Sequence, residues 1–107
     1  MNPKTCGKII EFFEAVRARP VMYTGKSYDY VRMIQLITGF YLALEITNQT
    51  APSQDDIRAA YSNRGWKGAS FGAVEQMKST GMDGDEIVKE LLSVEIDLWR
   101  DYRGRCN

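Results

Sequence analysis

An all-α single domain, a bundle of about five helices with two of them short, follows from three observations on this sequence. Apolar residues recur at helical spacing in one stretch after another, residues that start and stop helices bracket those stretches, and no segment alternates as a strand does. At 107 residues the chain is long enough for one core and too short for a catalytic domain beside a separate binding domain, so residues 1–107 are read as one unit.

The first helix is expected over about residues 3–18. Asn2 caps it, Pro3 occupies the first turn, and Ile9, Phe12, Phe13 and Val16 share a face. Pro20 then removes a backbone donor and pushes Arg19 out of the helical region, and Gly25 supplies a permissive turn position, so residues 20–25 read as a turn. Ser27 is placed to cap a second helix running to about Thr47. Val31, Ile34, Leu36, Ile37, Phe40, Tyr41 and Leu44 leave that helix little polar face, which predicts a central position. Gly39 inside it suggests close packing of a neighbour at that point.

Residues 48–53 form a loop, and Ser53 three positions before Asp56 resembles a capping box opening a short helix with Ile57, Ala60 and Tyr61 inward. After Trp66, framed by Gly65 and Gly68, another short helix spans residues 70–78 on Phe71, Val74 and Met77, and Gly81 closes it. Asp83 and Glu86 make a clearer capping box. From there Ile87, Leu91, Val94, Leu98 and Tyr102 mark the stripe of a long final helix.

Composition excludes several classes. Fourteen basic and fourteen acidic residues cancel, so no global field draws the chain to nucleic acid or an anionic membrane. The charges are uneven, however: residues 83–101 carry seven acids against two bases, a local negative patch. No run approaches the roughly 20 apolar residues that cross a bilayer, and no basic-then-apolar leader opens the chain, so a cytoplasmic protein is expected. Cys6 and Cys106 are too few for a disulfide framework or a metal cluster. Two reduced thiols are expected, with a bridge between the termini left open.

With no histidine, serine–histidine and cysteine–histidine nucleophiles and imidazole metal sites are absent. Asp83 and Asp85 hint at a calcium loop, but Val94 stands where the closing glutamate belongs. No phosphate-binding glycine loop occurs. Neither cofactor nor metal is expected, and the chain is read as non-enzymatic. Carboxylates such as Asp83 and Asp85, or Glu86 and Glu90, could serve an enzyme only if one of them titrated abnormally.

Two surfaces remain for binding. The candidate partner-binding residues are Asp83, Asp85, Glu86, Glu90, Glu95 and Asp97 on the last helix, with Asp101 beyond them, and Tyr28, Asp29 and Tyr30 at the start of the second, where amphipathic rings suit an interface. Arg17, Arg19, Lys26 and Arg32 cluster around the first turn and support the alternative of a small nucleic-acid-binding or regulatory module.

The cassette Arg19-Pro20-Val21-Met22-Tyr23-Thr24-Gly25 locally resembles a turn of the gyrase B class of ATPases, whose ATP-binding motifs this chain lacks. Over most of its length the chain resembles small bacterial helical proteins that share an arginine-proline-x-methionine-tyrosine-x-glycine turn, an apolar helix after it, a tryptophan-containing middle segment and a leucine-rich last helix. The matching pieces are residues 19–25, 31–44, 66–77 and 87–102. It looks like an immunity protein of the contact-dependent growth inhibition type. That resemblance implies a protein that neutralises the C-terminal domain of a cognate toxin without catalysis of its own. The acidic last helix suits a toxin with a basic groove, so the expected partner is a nuclease of RNase type, bound one to one by a monomer without contact to nucleic acid or membrane. The apolar second helix could also be shared across a dimer.

Overall fold

A computed structural model of the chain describes residues 1–105, and Cys106 lies outside them. The described residues form six helices and no strand. These are α1 (Pro3–Ala18), α2 (Val21–Thr24), α3 (Tyr30–Ile46), α4 (Gln54–Asn63), α5 (Phe71–Ser79) and α6 (Gly84–Arg105). A radius of gyration of 13.4 Å is close to the roughly 13 Å expected of one compact domain this long.

Helix ends follow the expected chemistry, with one exception. The Asn2 side chain accepts from the Thr5 amide (2.8 Å), and Pro3 opens α1. Ser53 and Asp56 form a full capping box on α4. Asp83 accepts from the Glu86 amide (2.9 Å) while Glu86 accepts from the Asp83 amide (3.2 Å), fixing the start of α6. The exception is α3, which is capped by Asp29 and not Ser27, its carboxylate accepting from the Arg32 amide at 3.0 Å. The residues before it are already committed. Pro20 starts the one-turn helix α2, Gly25 closes it at φ 81°, the buried Thr24 hydroxyl bonds the Lys26 carbonyl (2.8 Å), and the Arg32 guanidinium holds the Thr24 carbonyl (3.1 Å).

The central helix is α6 and not α3. Against α6 pack α1, most extensively, and α3, α4 and α5. It buries Ile87, Val88, Leu91, Leu92, Val94, Glu95, Ile96, Leu98 and Trp99, far more of its circumference than the expected stripe. Of α3 only Met33, Ile34 and Ile37 are fully buried, while Leu42 and Ile46 are 52% and 71% exposed. Apolar composition alone cannot choose the centre, because position depends on how many neighbours surround a helix. With α1 on one side and α3, α4 and α5 around the rest, α6 is enclosed.

An aromatic cluster joins these layers. Phe12, Phe13, Phe40, Tyr41, Trp99 and Tyr102 have adjacent ring centroids 5.2–6.1 Å apart, mostly edge to face. Fully buried Phe13 and Trp99 anchor it. Each such ring contributes on the order of 1.5–3 kcal/mol by burial.

No helix packs at Gly39. It is exposed, and a Cβ built there meets nothing within 4 Å. Glycine therefore costs helix stability without any packing return. Gly39→Ala is expected to raise the unfolding free energy by about 0.5–1 kcal/mol, measurable as a shifted denaturation midpoint. An unchanged or lowered midpoint would contradict the open position.

Candidate functional site

The structure divides the candidate partner-binding residues into three groups. The first is a surface where α3 begins beside the start of α6. A Cβ at Gly84 would lie 2.6 Å from the Tyr28 carbonyl oxygen and 2.7 Å from the Tyr28 Cβ, so the segment bearing Tyr28, Asp29 and Tyr30 is seated directly on the first turn of α6. Tyr28 remains 54% exposed, and Asp83, Asp85 and Glu86 are exposed beside it. Two lysines flank these rings. Lys26 lies 5.8 Å from the Tyr28 ring centre and Lys78 lies 4.8 Å from that of Tyr30.

Glu90 and Asp97 form the second group, two turns apart on α6 and joined through Arg64. The Arg64 guanidinium makes a two-pronged contact with Glu90 (2.8 Å each) and reaches Asp97 at 2.9 Å, and the Trp66 indole N–H donates to Glu90 (2.8 Å). The end of α4 sets this geometry. Gly65 takes φ 91°, which lets the Trp66 amide turn back to the Tyr61 carbonyl (3.0 Å) and delivers Arg64 and Trp66 to α6. The Arg64 guanidinium, with help from Trp66, holds the Glu90 carboxyl below the usual carboxylate range, and the two acids hold Arg64 more firmly protonated.

Losing this clamp has a definite sign. Because Glu90 titrates lower in the folded chain, its contribution is present above the ordinary glutamate range and is lost as pH falls. Arg64→Ala should cost about 1–2 kcal/mol at neutral pH and less in acid. Denaturation curves at the two pH values would check this, and equal losses at both would contradict the pairing.

Glu95 makes the third group and corrects the sequence reading. It is 2% exposed and does not stand on the acidic surface of α6. The Tyr41 hydroxyl donates to its Oε2 at 2.7 Å. Burial pushes the Glu95 carboxyl up to about 7, against which the Tyr41 hydrogen bond is the smaller effect. Burial and the nearby Glu95 also push the Tyr41 hydroxyl up, and Tyr61 is raised for the same two reasons. Glu95 thus joins Glu90 among the carboxyls displaced from the ordinary range, the condition an enzymatic reading required. No histidine, however, accompanies it.

The basic cluster is partly spent on structure. Arg17 donates to Ser93 (3.2 Å) and Arg32 to the Thr24 carbonyl, while Arg19 and Lys26 are exposed. Beside these cations Val21 and Met22 are 54% and 71% exposed on α2.

Asp56, Asp97 and Asp101 line a cleft of about 190 Å³ between α4 and α6. Arg105 reaches Asp56 (3.2 Å) and Asp101 (3.6 Å), and Arg64 holds Asp97, so each carboxylate there has a cation. Among the described residues no three potential metal-binding side chains converge, and no helix is long and apolar enough to cross a membrane.

Sequence reasoning missed Arg64, Tyr41 and Ser70. Arg64 and Tyr41 act across long sequence separations, with no local pattern to betray them. Ser70 adopts φ 49°, ψ −119°, an unfavourable backbone for any residue but glycine, and serine gives no warning of it.

No family model matches the sequence, and no curated protein or solved structure is significantly similar to it.

Proposed function

We propose that this chain is a cytoplasmic immunity protein of the contact-dependent growth inhibition type. It acts as a monomer that binds the C-terminal domain of a cognate toxin, a nuclease of RNase type, one to one and blocks its active site or substrate surface. It needs no cofactor and performs no catalysis.

The observation that carries this reading is the seating of Tyr28 on Gly84. It merges an exposed tyrosine, Asp29 and the acidic first turn of α6 into one surface, with Asp83, Asp85 and Glu86 exposed on one side, Lys26 and Lys78 against the rings and Arg32 paired with Asp29. Aromatic anchors supply affinity at protein interfaces, and the exposed carboxylates of Asp83, Asp85 and Glu86 can steer association with the basic groove of a nuclease. Glu90 and Asp97 contribute less than an unpaired pair would, because Arg64 offsets their charge. Glu95 contributes nothing to the surface.

Co-purification of the tagged chain with the product of the adjacent upstream gene, with growth rescue against that product's C-terminal domain, tests the role. Tyr28→Ala and Asp85→Lys test the face, because Asp85, unlike Asp83 and Glu86, holds no capping bond. Each should weaken the complex at least about tenfold. Full affinity in both would remove this face, and absence of complex and rescue would remove the role. Filter binding of RNA and DNA at low salt examines the alternative resting on Arg19 and Lys26. Steeply salt-dependent retention would favour it.

A further inference from the structure

A second cleft, of about 150 Å³, opens between α3, the start of α4 and the turn into α5. Ile37, Ile57 and Ala69 give it an apolar side, and the exposed residues Thr38 and Gln54 stand on its rim. Its polar side is Glu95, Tyr41 and Ser70, the residue with the strained backbone. None of the residues around it is a lysine or arginine.

A carboxylate buried beside such a cleft is costly to ionise unless a cation meets it. Tyr41 occupies Oε2 with one hydrogen bond, and a carboxylate can accept several. The space amounts to about five water volumes, room for a ligand of about five heavy atoms. A single carboxylate on a half-apolar wall is a poor site for a hard metal ion, which requires several oxygen ligands. It suits an ammonium head on a short hydrocarbon chain.

We propose that this cleft is a binding site for a small primary aliphatic amine, held as its alkylammonium ion with the charged head on Glu95 and the chain along Ile37, Ile57 and Ala69. The ammonium has three donors, and Thr38 and Gln54, which line the same space, carry side-chain oxygens that can take those that Glu95 does not, while the Ser70 side chain is engaged with Tyr61. The site is separate from the Tyr28 surface and stands or falls independently of the toxin reading.

Binding must follow the ionisation of Glu95. From α3 it faces Tyr41, and from α4 the Tyr61 hydroxyl acts in the same field. Neither bears charge near neutrality, and no charged group of α1 or α5 is among those acting on it. An alkylammonium ion keeps its proton up to about pH 10. Among the groups of the cleft and the ligand, only Glu95 therefore changes state between pH 6 and pH 8. With its carboxyl pushed up to about 7, apparent affinity should rise about tenfold over that interval.

The test is an NMR titration of the full chain with n-butylammonium chloride at pH 8 and pH 6, with n-butanol as the uncharged control. Saturable shifts confined to residues around the cleft, about tenfold weaker at pH 6, absent with n-butanol and lost in Glu95→Gln, are expected. Ile57→Phe, which fills the cleft and leaves Glu95 in place, should also abolish binding, so the result does not rest on one variant. Nα-acetyl-lysine methylamide separates the two sources of such a group. Binding equal to n-butylammonium assigns the cleft to lysine side chains, and binding of n-butylammonium alone assigns it to free amines. No saturable shift, equal response to n-butanol, or unchanged binding in Glu95→Gln would overturn the proposal.

Discussion

Glu95→Gln should make the protein more stable at pH 8, by up to about 3 kcal/mol, and leave stability at pH 4.5 unchanged. In the folded chain burial pushes the Glu95 carboxyl up to about 7, from an ordinary 4.5. A group that binds its proton more tightly when folded contributes stability that is complete below the unfolded value and lost as pH rises through the folded one. Wild-type stability should therefore decline between about pH 4.5 and pH 7 and level off above. Glutamine can accept the Tyr41 hydrogen bond and carries no charge, so the variant lacks that decline.

The window is unusually clean. There is no histidine in the sequence, the side chain that ordinarily titrates there. Asp56 and Glu90 are both held low, Asp56 chiefly by the Ser53 amide and Glu90 chiefly by Arg64, so their effects have the opposite sign and fall in more acid solution. Denaturant titrations of both proteins from pH 4.5 to pH 8 are the measurement. A flat wild-type profile, or a slope that survives in Glu95→Gln, would mean that Glu95 is as well solvated folded as unfolded. A short alkylammonium ion that pairs with Glu95 should also flatten the wild-type profile, since it stabilises the ionised form.

The misplacement of Glu95 shows where sequence reasoning ended. Helix boundaries were legible because they are local: Asn2, Ser53 and Asp83 each act within three residues, and each caps as its sequence context implied. Burial is not local. The apolar spacing of α6 identified Ile87, Leu91, Val94 and Leu98 as inward. The inward position of Glu95 follows instead from α3 and α4, which bring Tyr41 and Tyr61 over a face that would otherwise be wet. The same limit exchanged the roles of α3 and α6, since α3 is the more apolar helix and α6 the more surrounded one. Ser27 failed as a cap for a related reason. The residues before α3 are committed to closing α2 and Tyr28 lies against Gly84 of α6, so Asp29 is the residue left to cap the helix. Within the candidate surface, Tyr28 and Asp29 were legible as a pair, while their junction with Asp83 and Asp85 was not.

That junction gives the second large effect. Gly84→Ala should destabilise the fold by about 1–3 kcal/mol, although alanine is intrinsically the better residue in a helix by about 1 kcal/mol. The added methyl group would sit 2.6 Å from a backbone oxygen and 2.7 Å from the Tyr28 Cβ, contacts too short to survive. The backbone at Tyr28 cannot yield freely, because its carbonyl also accepts from the Tyr30 amide (3.0 Å) and Asp29 next to it caps α3. Relief must come from lifting the whole segment off α6. Gly39→Ala is the matched comparison, the same substitution inside a helix with open space around it. The two variants should therefore shift the denaturation midpoint in opposite directions, a result that propensity alone cannot produce. Lifting the segment also separates Tyr28 from Asp83 and Asp85, so Gly84→Ala should weaken the toxin complex of the proposed function beyond what lost stability explains. Equal stability of Gly84→Ala and the wild type would mean that the two segments part easily in solution, and the composite surface would then lose its physical basis.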